Sequence, residues 1–329
     1  MRAQDYVQAS TFVRVREKSF LTREQWERLI ESASLDDALR VLQESSYGAL
    51  FQKLDDPRDF ERVLSERLKE EYEEMMRFVK DPELLDILRL RYDAHNEKVL
   101  LKERILDEPL DELIMPLGTF DVTAARAALR STEGVSQLPE HMKKALEAYE
   151  EENDPQALAH ASDHHYLASL GKIAEKLDSD LLKSYASLSV DYYNVMTLLR
   201  AQGREMELAA LDELLVEGGR VPLETLKAQY FSSVTSVLDA TRFTLPDELA
   251  RGLREAYEAE PRLSALERAF DIHLLKTMQE GAHITFGPEV LFNFMIQLEN
   301  EVRNLRVILV SKISQIEPAR IRERIRRYA

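Results

Sequence analysis

An acid, an asparagine three residues later and an apolar pair four and five residues beyond that recur three times along this chain. The stretches are YDAHNEKVLLK (92–102), DYYNVMTLLR (191–200) and ENEVRNLRVIL (299–309). Their acids and asparagines are Asp93 and Asn96, Asp191 and Asn194, and Glu301 and Asn304. Each stretch reads as the middle of an amphipathic helix, where residues three and four apart share a face. Asn96 then lies between Tyr92 and Val99–Leu100, Asn194 between Val190 and Leu198, and Asn304 between Asn300 and Ile308. A buried amide without partners costs about 1–3 kcal/mol. These asparagines therefore need a neighbouring helix or a backbone carbonyl, and the acid three residues earlier can share the network. We read the pairs as fixing helix register. The functional alternative is that they line a polar cavity and touch a partner.

The flanking chemistry supports long helices. TREQ (22–25) is a capping box, with Thr22 taking a backbone N–H and Gln25 reaching back. DPELL (81–85) and DPQAL (154–158) place Asp at the N-cap and Pro at the first helical position. GPEVL (287–291) and EPARI (317–321) also put Pro at a helix start, and AQGR (201–204) puts Gly203 where a left-handed C-terminal residue is expected. These signals predict helices near 82–105, 179–202 and 288–313, each about 35 Å long at roughly 1.5 Å per residue. Another long helical pattern precedes each, near 58–79, 155–177 and 261–280. The asparagines are 98 and 110 residues apart, far beyond the roughly 20–50-residue period of a common solenoid. The chain reads as three similar helical units, 1–110, 111–207 and 208–329, and a few large copies can close around an axis.

Composition narrows the class. Ten glycines and eleven prolines among 329 residues, with no alternating Val/Thr/Tyr runs around Asn-Gly turns, leave an all-α fold. A formal charge of −16 disfavours nucleic acid and anionic lipid as broad-face partners and favours a locally basic protein. The absence of cysteine excludes disulfides, thiolate metal sites and cysteine nucleophiles, and fits an intracellular home. The start, MRAQDYVQASTFVRV, has no apolar signal-peptide core, and no apolar run reaches the roughly 18 residues a membrane span needs.

A search for chemistry finds little. Neither glycine-rich phosphate cradle nor H-E-x-x-H occurs, so no cofactor or direct nucleotide binding is expected. HASDHH (160–165) puts His160 and His164 on one helix face with Asp163 nearby, a conceivable metal site that reads better as a solvated polar face. The acids of SLDDAL (34–39) complement a helix dipole, and EAYEEEND (147–154) reads as solvated surface or linker. The basic tail EPARIRERIRRYA (317–329) reads as a helix docked by Ile321 and Ile325 with exposed arginines; contact with an acidic partner or headgroups is the alternative.

The run VRVREKSFLTREQWERLIESASLDDALRVLQESSYGALF (13–51) resembles the opening of the central-stalk component of V-type and A-type ATPases, known as C in prokaryotes and d in eukaryotes. The similar residues are Arg14 and Arg16, Leu21 and Thr22, Asp36 to Leu39, and Tyr47 with Gly48. YDAHNEKVLL, MPLGTF (115–120), the EGG before the third copy and the helix around Glu299–Arg306 extend the resemblance over the whole chain. It implies a funnel of three helical units about a pseudo-threefold axis. It further implies a non-catalytic rotor component that couples the D–F shaft to the membrane ring of c/K subunits. In that role it transmits torque for H+ or Na+ transport or ATP synthesis, held peripherally on the cytoplasmic side through the ring. Helix position suggests Arg89, Lys98 and Arg306 as shaft contacts. The alternatives are an unrelated all-α scaffold and a metal-dependent helical enzyme.

Overall fold

The computed structural model describes residues 3–326 apart from 53, 153 and 154. The first third of the chain forms α1 (Val7–Arg16), α2 (Arg23–Glu31), α3 (Leu35–Gln43), α4 (Gly48–Phe51), α5 (Phe60–Met76) and the long α6 (Glu83–Leu106). There follow α7 (Val122–Leu129), α8 (Thr132–Val135), α9 (Glu140–Glu152), α10 (Pro155–Leu177) and the long α11 (Asp180–Gly203). The last part forms α12 (Leu208–Leu214), α13 (Leu223–Ala228), α14 (Val234–Thr241), α15 (Asp247–Ala259), α16 (Leu263–Met278), the long α17 (Pro288–Ile313) and α18 (Pro318–Arg324). Among the described residues there is no strand, and the chain is all-α.

Local chemistry sets the helix ends. Thr22 Oγ1 accepts from Gln25 N while Gln25 Oε1 accepts from Thr22 N, so the capping box at the start of α2 is formed. Ser34, Ser131 and Ser233 cap α3, α8 and α14, each accepting from the backbone N–H three residues on. Pro288 and Pro318 occupy the first turns of α17 and α18. Asp154, expected as an N-cap, lies outside the described residues.

The long helices end differently from expectation. Gly203 remains helical, and the left-handed residue is Glu205, with φ of 55°. Asp107 and Gln315 take the same conformation after α6 and α17. At two of these ends a six-to-one bond closes the turn, Met206 N to Ala201 O and Ile316 N to Ser311 O. A glycine inside the last turn does not have to leave the helix when a residue further on makes the reversal.

The chain divides into two compact units: Met1–Leu85 with Leu275–Ala329, and Asp86–Leu274. In the first unit α17 is the central element. It buries side chains around its whole circumference, from Val290 through Phe292, Phe294 and Leu298 to Ile308, as a helix enclosed by others must. It packs against α1, α3, α5 and α18. The tail helix docks through Ile321 and Ile325, both buried, and Arg322 pairs with Glu27 and Glu31. Among its described residues the second unit includes two apolar clusters. One gathers Leu100, Leu101, Leu129, Met142 and Leu158, and the other gathers Val195, Leu198, Val237, Leu253 and Phe270. Among the described residues no helix is long and apolar enough to cross a membrane.

Candidate functional site

The recurring asparagines act as backbone mimics. In the second unit Asn96 donates from Nδ2 to Met115 O and accepts at Oδ1 from Met115 N, both at 2.8 Å. Asn194 does the same to Val216, at 2.7 and 2.9 Å. One side-chain amide thus replaces a peptide partner for the chain arriving 19 or 22 residues later, and both its halves are satisfied. The acids grip the same returning segment a few residues further on. Asp93 accepts from Thr119 N at 2.6 Å and Phe120 N at 3.3 Å, with the Thr119 hydroxyl on its other oxygen. Asp191 accepts from Val221 N at 2.9 Å, and its second oxygen is buried without a partner. Burial pushes the Asp191 carboxyl above the ordinary carboxylate range.

Glycine makes these grips possible. A Cβ on Gly118 would stand 2.2 Å from Asp93 Oδ1, and one on Gly219 would stand 2.4 Å from Asp191 Oδ1. Both glycines lie just before a helix, and the letters around them gave no sign that a carboxylate is pressed against each. The signal was the glycine recurring a little over two dozen residues after each acid.

The third grip, in the first unit, is built differently. Glu301 accepts from Leu21 N at 2.8 Å and from the Tyr47 hydroxyl at 2.9 Å. It thereby holds the segment just before the capping box of α2. Asn304 Oδ1 accepts from Arg326 N at 2.8 Å, while Asn300 Nδ2 donates to Arg326 O at 3.2 Å. Two asparagines one turn apart share the task that one performs in each of the other two stretches. Glu301 is 5% exposed, and burial raises its carboxyl to about 7, opposed by the two donors and by the Arg67 charge. Arg67 is itself held by Glu71 at 2.5 Å and lies over the Tyr47 ring. The same environment drives the Tyr47 hydroxyl well above its ordinary value, burial first and the Glu301 charge second. Tyr47, Arg67 and Glu71 could not be assigned to this site from sequence, because they come from elements far away along the chain.

The three proposed contact cations are engaged within their own units. Arg89 donates to the carbonyls of Leu117 and Gly118 and pairs with Asp86. Lys98 pairs with Asp163 at 2.6 Å, and Arg306 forms a two-point pair with Glu61. The HASDHH face is not simply solvated. His160 and His164 are half-buried, with His160 against the Tyr193 hydroxyl and His164 on the Leu214 carbonyl. Polar letters on a helix gave no sign that neighbouring elements would cover them. Among the described residues no group of three or more His, Asp or Glu is placed to hold a metal ion.

The model of the ATP synthase (C/AC39) subunit family matches residues 9–324, nearly the whole chain. The chain belongs to that family. It is similar to the C subunit of the V-type sodium ATPase of Enterococcus hirae, at 24% identity over 98% of both chains. It is also similar to the C subunit of the V-type ATP synthase of Thermus thermophilus, at 26% identity over 98% of this chain and 99% of the relative. The C subunit of the A-type ATP synthase of Thermococcus onnurineus is 25% identical over 94% of this chain and 87% of the relative. Membership of the C/AC39 family makes the chain a non-catalytic stalk component of a V/A-type rotary ATPase. It displaces both the unrelated scaffold and the metal-dependent enzyme.

Proposed function

We propose that this C/AC39 protein is the socket of the rotor: three similar helical units, 1–110, 111–207 and 208–329, closed as a funnel about a pseudo-threefold axis. In this reading the D–F shaft seats in the socket, and the c/K ring carries it on the cytoplasmic side of the membrane. The protein transmits torque for H+ or Na+ transport or for ATP synthesis.

One observation carries the reading. Each long helix uses the acid at the same position to hold the start of a following short-helix region. Asp93 holds the start of α7, Asp191 the start of α13, and Glu301, at the far end of the chain, the start of α2. A linear array would leave the last acid with no region to hold. A cyclic one returns it to the first. Stiff helices with polar seams that hold a returning chain also suit a part that must carry load without slipping in register. Arg89, Lys98 and Arg306 remain the proposed shaft contacts, each exchanging an internal partner for an external one.

The test is co-elution of the chain with the purified D–F shaft at low and moderate salt. We expect a one-to-one complex that weakens as salt screens its charges. Alanine at Lys98 or Arg306 should lower the shaft affinity. No complex, together with no binding to ring-containing membranes, would overturn the socket reading. Unchanged affinity in the alanine variants would remove those residues from the contact.

A further inference from the structure

The split grip on α17 leaves polar groups unspent, and its residues line a cavity. Asn293, Gln297, Asn300, Glu301 and Asn304 share one wall of a solvent-open space of about 360 Å³, with Trp26 lining it as well. That volume is within the range of roughly 300–1,000 Å³ typical of small-ligand sites. In the other two copies a single asparagine spends both its oxygen and its nitrogen on the returning chain. Here Asn304 spends only its oxygen, so its Nδ2 is left over. Asn300 spends only its nitrogen, and its Oδ1 is buried with no partner. A native structure seldom wastes such an atom. Glu301, 5% exposed, supplies the charge. The other lining carboxylate, Glu17, is already paired with Arg14 at 2.7 Å. Among the described residues that line the space there is no Lys, Arg or His.

We propose that this cavity is a seat for an arginine of a basic partner protein. Its guanidinium would pair with Glu301. Its flat face would lie on Trp26, and the backbone carbonyl of its own segment would accept from Asn304 Nδ2. Each element follows from chemistry. A guanidinium is planar, donates in several directions and stacks on aromatic rings, which a compact ammonium does less well. A carboxyl whose ionisation is opposed by burial gains most from an arriving cation. The unspent amide nitrogen needs an acceptor, which an arginine side chain lacks and a peptide has. The formal charge of −16 makes a basic partner the favoured class. The inference concerns this cavity alone and does not depend on the socket reading, because the partner is defined by its chemistry and the probe is a peptide.

Trp26 is the only tryptophan in the chain, so its emission reports this site without labelling. The intact protein is titrated with acetyl-Gly-Arg-Gly-amide, with the same peptide carrying lysine, citrulline or glutamate, and with guanidinium chloride. We expect a saturable change for the arginine peptide. Lysine and citrulline should bind at least about tenfold more weakly, and glutamate and guanidinium should give no saturation. Glu301→Gln should abolish the response, and so should Ala282→Leu, which narrows the cavity from a half-buried position without touching the carboxyl. If Glu301→Gln does not fold, Ala282→Leu decides. Equal responses to arginine and citrulline, or wild-type binding in Ala282→Leu, would overturn the proposal.

Discussion

The two grips of the second unit and the single grip of the first solve one problem with different parts. In the second unit a short acid presses on a glycine, and one asparagine satisfies both halves of a peptide group. In the first unit the acid is longer, no glycine is pressed against it, and two asparagines divide the work. The first arrangement leaves little slack. The second leaves unused polar atoms and an open space. The lesson is that one acid–asparagine spacing can serve one task, holding a returning chain, by different means.

Glycine should break the comparison most sharply. Gly118→Ala or Gly219→Ala sets a methyl group within 2.4 Å of a carboxylate oxygen that cannot move without losing backbone bonds. Overpacking and the lost bonds together should cost about 4 kcal/mol, seen as a fall in the urea midpoint. The helix around Glu301 has no glycine of this kind to lose.

The pH dependence of the Glu301 grip should be the next largest effect. The Glu301 carboxyl has an ordinary value of 4.5 and a folded value of about 7. Because the folded form holds its proton more tightly, its contribution to stability is full below about pH 4.5. It is lost as pH rises through about 7, on the order of 3 kcal/mol in all. In Glu301→Gln this component of the pH slope should vanish, so the variant should gain on the wild type across that window in urea unfolding.

The asparagines should give the smallest contrast. Asn96→Ala and Asn194→Ala each lose two bonds and strand a peptide group, about 2 kcal/mol apiece, whereas Asn304→Ala loses one bond, about 1 kcal/mol. Thermal unfolding of the three variants side by side would show the order. Equal losses would mean that Asn300 is not sharing the work.

Helix position was legible from sequence, because periodicity and capping are local. The long helices expected near 82–105, 179–202 and 288–313 are Glu83–Leu106, Asp180–Gly203 and Pro288–Ile313. The docking of the tail through Ile321 and Ile325 was also legible, since two apolar residues four apart in a basic run have one face to bury. The partners of the asparagines were not. Met115 and Val216 lie 19 and 22 residues away across turns that no periodic pattern describes. Still less legible was the link from Glu301 to Leu21, 280 residues apart. The glycines illustrate the same limit: Gly203 looked like a turn and is helical, while Gly118 and Gly219 matter for what they leave room for.

That long link also sets a schedule for the making of the protein. Leu21 leaves the ribosome early, and the carboxyl that takes its N–H is added 280 residues later. At roughly 5–20 residues per second the wait is tens of seconds. The interior segment, Asp86–Leu274, is complete before α17 exists to gather the beginning of the chain around itself. A nascent chain cut short before α17 would therefore carry a first third with no central helix to bury against, the condition in which chaperones find their clients.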